Sequence, residues 1–271
     1  MAINDVTLAG GMRNNLVNLQ SVAILQARTT QRLSTGKRVN SAIDDPSAYF
    51  AAQNATNRAS DLAARKDGIG EAIQTVKAAL QGIDGITNLI EQAKGLAASA
   101  HSASTTDRAS LATQFDALRT QIDKLASDSG YKGTNFLAAS STLKVDFNES
   151  GTSSLTISGF DASTTGLSIS ASAGSWATDT NVDAAVTQMD TALSTLRTQA
   201  KTLASNNGVV TARQEFTTQM INTLTQGADQ LTAADPNEES ANMLALQTRQ
   251  QLGIVALQLS SQAQQSVMRL F

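Results

Sequence analysis

Leu62, Ile69, Val76, Ile83, Ile90 and Ala97 recur every seven residues, and Ala59, Ile73 and Leu80 fill the alternate three-four offsets. No strand satisfies such a repeat. An α-helix does, and the repeat lays one apolar face along it that favours near-parallel, left-handed packing against other helices. A second seam holds Leu111, Phe115, Leu118, Ile122 and Leu125. A third runs through Val182, Val186, Met189, Leu193, Leu196, Ala200 and Leu203 and keeps phase through Val210, Ile221, Leu224 and Leu231. Asn207, Gln214 and Thr217 also fall on this third stripe, so a local distortion without a domain break is expected near Asn206-Asn207-Gly208. Gly68, Gly70, Gly82, Gly85 and Gly95 interrupt the first long helix, each at about 1 kcal/mol relative to Ala. That helix therefore depends on tertiary packing. Only ten aromatics are present, which suits helix seams better than a thick core.

Between Gly130 and Asn181 the period changes to two. Leu143, Val145 and Phe147 alternate with polar residues, as do Leu155 with Ile157 and Leu167 with Ile169, and Gly151, Gly159 and Gly166 punctuate them. The pattern predicts a short β-meander or hairpins. The many Ser and Thr residues here suit polar strand faces and turns, or an exposed glycan-bearing surface. Trp176 reads as a cover over a strand face.

The two ends are almost uncharged. Ala241–Phe271 contains no acid and no lysine; its charges are Arg249 and Arg269, set among glutamines and Leu244, Leu246, Leu252, Ile254, Val255, Leu257 and Leu259. Met1–Gln31 carries only Asp5, Arg13 and Arg28. A terminus is ordinarily frayed and charged. Alone, such helices are marginal in water, because ordering each residue costs about 1–2 kcal/mol. Burying each Leu, Ile or Val returns about 1.5–3 kcal/mol, and only neighbouring copies supply enough apolar surface. Glutamines then hydrogen-bond between helices without buried charge. Contacts that repeat head to tail without closing generate a helical fibre. Gln250–Met268 is uncharged, but nearly half of it is Gln or Ser, which argues against insertion in a membrane.

Pro46 follows Asp44-Asp45, and Pro236 follows Asp235. Proline disfavours helix in the preceding residue and fits a first helical turn, so both mark helix-to-helix junctions, with acids nearby to cap or complement the next helix. The junctions lie side by side if the ends pair. Arg32–Pro46 is dense in mixed charge and reads as a solvated connector, or as an ordered link whose cations meet Asp residues of neighbouring subunits.

No chemistry-bearing constellation is found. His101 is the only histidine and cysteine is absent, so zinc ligation and thiol chemistry are not expected; His101 reads as a solvated helix-end residue. Neither Gly10-Gly11 nor Gly68-Ile69-Gly70 is a phosphate loop, since no strand precedes and no Gly-Lys-Ser/Thr follows. The expectation is no enzyme, no catalytic residues, no metal and no cofactor. The net charge of −3 gives no case for nucleic acid. Absence of cysteine fits a reducing compartment or export of an unfolded chain through a narrow conduit. The segment Met1–Asp5 has neither a basic n-region nor an apolar h-region, so a cleaved signal peptide is not expected.

Arg32-Leu33-Ser34-Thr35-Gly36-Lys37-Arg38-Val39-Asn40-Ser41-Ala42-Ile43-Asp44-Asp45-Pro46 resembles the N-terminal signature of bacterial flagellins. Tyr131–Leu137 resembles their aromatic-x-Gly-x-Asn-x-Leu segment, and Ala241–Gln247, Gln251-Leu252-Gly253, Ala256-Leu257 and Gln265–Phe271 resemble their C-terminal signature. The resemblance spans the chain. It implies a mainly α fold with paired terminal helices, a heptad helical bundle and a small β-hairpin or meander region. The expected division is an inner coiled-coil domain from 1–33 and 240–271, a linker at 34–46, and a rod-like domain at 47–239 with the hairpin region at about 140–172. The outer domains of larger flagellins are expected to be missing. Ile90–Leu96 lacks the paired arginines that many flagellins present to a vertebrate innate receptor, and Asp44-Asp45-Pro46-Ser47-Ala48-Tyr49 departs from the commoner Asp-Asp-Ala-Ala-Gly form.

The implied function is self-assembly into the extracellular flagellar filament used for swimming. Implied partners are identical or sister flagellins, a secretion chaperone and the export apparatus, and hook-associated and cap proteins, with no nucleic acid and no membrane insertion. The residues expected to carry assembly are Leu16, Leu19, Arg32, Leu33, Arg38, Asp44, Asp45, Leu244, Leu252, Val255, Leu259 and Leu270. Two rival readings are a hook–filament junction protein and a secreted coiled-coil adhesin or effector.

Overall fold

The computed structural model describes residues 10–139 and 141–268. Five helices dominate: α1 (Gly10–Thr35), α2 (Pro46–Ala100), α3 (Thr105–Asp128), α4 (Asp179–Thr232) and α5 (Pro236–Met268). Strands β1 (Thr142–Asp146) and β2 (Ser154–Ser158) form one antiparallel hairpin between α3 and α4. The chain divides into two compact units, one made of 1–57 with 224–271 and the other of 58–223.

In the unit 58–223, the first heptad stripe is the core: Leu62, Ile69, Val76, Ile83, Ile90 and Ala97 are all buried. Phe115 and Ile122 of α3 and Val182, Met189, Leu196, Leu203 and Val210 of α4 join the same apolar cluster. The glycines of α2 do not break it. Gly85 lies against Leu125 so closely that a Cβ would come within 2.8 Å of its Cδ2, and a Cβ on Gly82 would collide with Ser129 and Leu137. These glycines trade helix propensity for close approach of α3 and the segment that follows it.

Local capping punctuates α3 at both ends. Ser104 is the N-cap of α3, accepting from the Asp107 amide at 3.3 Å. At its other end, Asn135 Nδ2 donates to the Ala126 and Ser127 carbonyls at 2.8 and 3.0 Å, satisfying groups a helix end leaves unpaired. Phe136 and Leu137 are thereby seated in the core.

The hairpin pairs Leu143 with Ile157 and Val145 with Leu155, placing all four on one face. Val145 and Ile157 are buried, while Lys144 and Thr156 on the other face are exposed. A third strand at Leu167–Ile169 does not form. Leu167 and Ile169 are both buried, with Ser168 between them at φ 56°. Several polar groups of this loop bond to α3, and the Ser170 amide donates to Gln188 on α4. Asp123 accepts from the Thr164 amide and hydroxyl, the Arg119 guanidinium donates to the Ile169 carbonyl, and Asp116 accepts from the Ser172 amide and hydroxyl. Alternation of two Leu/Ile residues over three positions resembles strand periodicity, but long-range side-chain bonds decide the backbone path.

Helix α4 continues through Asn206-Asn207-Gly208, with no unit boundary there, in keeping with the expectation. Trp176 is not a cover over a strand: it is fully buried at the end of a left-handed turn (φ 53°, 52° and 55° at Gly174, Ser175 and Trp176), its ring 5.0 Å from that of Phe115 on α3. His101 is half exposed just past α2, with Nε2 3.2 Å from Asp183.

Candidate self-assembly surface

The unit 1–57 with 224–271 has a small interior. Thr29, Val39, Ala52, Ala228, Thr232, Glu239 and Leu246 are its buried residues among those described, and only four of them are apolar. They gather where the two terminal helices meet the connector. Both junction prolines begin helices: Asp45 accepts from the Ala48 amide at 3.0 Å at the start of α2, and Asp235 accepts from the Asn237 amide at 2.8 Å at the start of α5. The junctions are bonded to one another. The Thr232 carbonyl accepts from the Arg38 amide at 2.7 Å and from the Val39 amide at 3.3 Å, and the Gly36 carbonyl accepts from the Ala234 amide at 2.9 Å. The side-by-side arrangement expected from the sequence is present.

Beyond the junction, α1 and α5 pair along their length. At Gly253 a Cβ would sit 2.8 Å from Leu19 Cδ2, so the glycine lets the helices touch. Leu19, Val22 and Leu25 with Leu252 and Ala256 line a cleft of about 500 Å³ between them. Pairing leaves most apolar side chains outside. Leu244 is 67% exposed, Leu252 63%, Leu259 68% and Ile24 70%, and Leu16, Val17, Leu33 and Val255 are exposed as well. Of the apolar residues expected to carry assembly, Leu19 is half-buried against Gly253 and Leu252 edges the cleft while 63% exposed, whereas Leu16, Leu33, Leu244, Val255 and Leu259 are exposed. Leu270 lies outside the described residues.

The charged positions behave differently. Asp44 accepts from the Asn40 amide at 3.1 Å and from the Ser41 hydroxyl and amide at 3.1 and 3.0 Å, with Arg28 3.5 Å away. These donors, the Asn40 amide foremost, hold its carboxyl below the ordinary value of 3.8. Asp45 is spent as a helix cap. Arg38 uses its backbone amide at the junction and makes no side-chain ion pair among the described residues. Arg32 donates to Glu239 at 2.8 Å. In the sequence Glu239 reads only as one of the acids that cap or complement the helix after Pro236, and the pair with Arg32 is missed. The signal was present: a cation closing α1 and an acid opening α5, in two helices otherwise almost free of charge.

Among the described residues, no cluster of three or more His, Asp or Glu is arranged to hold a metal ion, and no helix is long and apolar enough to cross a membrane. The arrangement leaves Leu, Ile and Val side chains exposed on both α1 and α5, helices tied together at one end.

Residues 3–142 match the family model of the bacterial flagellin N-terminal helical region, and residues 180–271 match that of the C-terminal helical region. The chain is 32% identical over 275 residues to flagellin FljM of Caulobacter vibrioides, covering 100% of both proteins. It is also 32% identical over 278 residues to flagellin FljK of the same organism, again covering 100% of both. A flagellin of Brucella melitensis is 29% identical over 254 residues, 90% of each chain. Among solved structures, Bacillus cereus flagellin aligns with a TM-score of 0.49 at 17% identity, covering 55% of this chain and 88% of that one.

Proposed function

The chain belongs to the bacterial flagellin family, and from that membership we propose that it is a structural subunit of the bacterial flagellar filament, polymerised through the outward faces of α1 and α5. The observation that carries this reading is the exposure of Ile24, Leu244, Leu252 and Leu259 on paired helices that have almost no interior of their own. Each such side chain buried by a neighbouring copy contributes about 1.5–3 kcal/mol, and charge-poor flanks remove the desolvation cost that Lys or Glu would impose.

The functional division follows the same logic. Residues 1–33 and 240–271 form the inner, assembly-ordered part, 34–46 link it, and 47–239 form the rod. Leu16, Leu19, Leu33, Leu244, Leu252, Val255, Leu259 and Leu270 supply apolar contacts, while Arg32, Arg38, Asp44 and Asp45 fix the junction from which the helices extend. The subunit is extracellular in its working state, passes the flagellar export apparatus with a chaperone masking the C-terminal helix, and meets sister flagellins, hook-associated proteins and the cap. The full-length likeness is to flagellins, which favours the filament subunit over the hook–filament junction protein and the secreted adhesin or effector. The flagellin family is a family of structural proteins.

Deletion of Ala241–Phe271 tests the reading. The truncated protein is expected to keep the melting transition of the unit 58–223, whose core it does not touch, and to form no filaments by electron microscopy under conditions that polymerise the full chain. Normal filaments from the truncated protein would refute the proposal.

A further inference from the structure

We propose that Arg32 and Glu239 are positioning residues for polymerisation: their part-buried pair sets the direction in which α5 leaves the junction beside α1, and hence the registry of the faces offered to the next copy. This rests on the filament-subunit reading above.

The pair joins residues separated by 207 positions, through one contact of 2.8 Å between Arg32 Nη1 and Glu239 Oε1. The Glu239 side chain is 6% exposed and that of Arg32 22%. It is the one salt bridge between α1 and α5 among the described residues. Both charges are suitably placed: Glu239 is in the first turn of α5, and Arg32 is in the last turn of α1. The partial charges of the helix ends favour an anion at the first and a cation at the second.

As a stabiliser the pair is poor. Arg32 Nε and Glu239 Oε2 are both shielded from solvent and have no hydrogen-bond partner among the described residues. A buried pair with unmet atoms is ordinarily replaceable by apolar side chains of similar volume without loss of stability. What such side chains cannot reproduce is a directional link between two particular atoms. The lever beyond it is long. With a rise of 1.5 Å per residue, a tilt of about 10° at Glu239 swings Leu252 sideways by roughly 3 Å, Leu259 by roughly 5 Å and the far end of α5 by roughly 8 Å. Leu252 and Leu259 would then face the wrong sites on a neighbour.

The experiment compares three purified full-length proteins in seeded elongation: wild type, the apolar pair Arg32→Met with Glu239→Leu, and the reversed pair Arg32→Glu with Glu239→Arg. Melting and circular dichroism are recorded on each, and rates are expressed per folded protein. The apolar pair is expected to melt no earlier than wild type yet elongate at least about tenfold more slowly, and the reversed pair to recover most of that loss. Elongation of the apolar pair at the wild-type rate overturns the proposal, as does a reversed pair no faster than the apolar one. Wild-type protein that adds to no seed overturns the filament reading itself, a result distinguishable from failure of the clamp alone.

Discussion

Asp44 shows how one carboxylate orders a connector. Its acceptors close the Asn40–Asp44 turn, leaving Ile43 94% exposed at the tip. Because the donors favour the ionised form, the folded-state pKa is below 3.8. The stabilisation is therefore complete above that ordinary value and is lost as pH falls through the lower folded-state value. Amide shifts of Asn40 and Ser41 followed by nuclear magnetic resonance are expected to titrate with a midpoint under 3.8. A midpoint at or above it would contradict the bonding described. In the sequence, Asp44 and Asp45 were indistinguishable as capping acids. The structure divides the work, Asp45 capping α2 and Asp44 closing the turn, because only Asp45 directly precedes the first helical residue.

At the level of elements, the glycines of α2 separate into two kinds. A Cβ at Gly68 meets nothing within 4 Å, whereas one at Gly85 meets Leu125 at 2.8 Å. Gly68→Ala is expected to stabilise the protein by up to about 1 kcal/mol through helix propensity. Gly85→Ala is expected to destabilise it by about 1–3 kcal/mol through overpacking. Denaturant melts of the two variants check the opposite signs. The first seam was legible, because seven-residue spacing is imposed by helix geometry before any partner is known: Leu62, Ile69, Val76, Ile83, Ile90 and Ala97 are all buried, and Leu80 is partly so. The loop at 159–178 was not legible. Its path is set by Asp116, Arg119 and Asp123 on a helix about forty to sixty residues away, which no local pattern encodes. Trp176 was misread for the same reason, since its ring packs against Phe115 of α3.

For the whole molecule, the contrast between the two units governs behaviour. One is closed by Ile69, Val76, Phe115, Met189 and Leu196; the other is held mainly by a junction around Thr29, Val39 and Leu246. Hydrogen exchange in the free protein is expected to be slow in the first, intermediate at that junction, and fast around Leu16–Ile24 and Leu252–Leu259, with those outer segments slowing on polymerisation. Mass-spectrometric exchange on monomer and filament tests this, and strong protection of both ends already in the monomer would contradict coupled ordering. The apolar half of the candidate surface was readable in the sequence because low charge over thirty residues is a compositional fact. For the Arg32–Glu239 link the sequence held only a hint, a cation closing α1 and an acid opening α5, because pairing across the chain needs the fold. One more consequence follows from the hairpin. Between β1 and β2 the chain turns through Asn148–Ser153, where Asn148 Nδ2 donates to the Ser150 and Thr152 hydroxyls and Gly151 takes φ 68°, while Ser150 and Thr152 remain exposed. The tip is tied by its own side chains, so a short peptide grafted after Ser150 is expected to leave elongation intact, turning the polymer into a scaffold that displays one antigen copy per protomer. Antibody labelling of the grafted fibres would read this out.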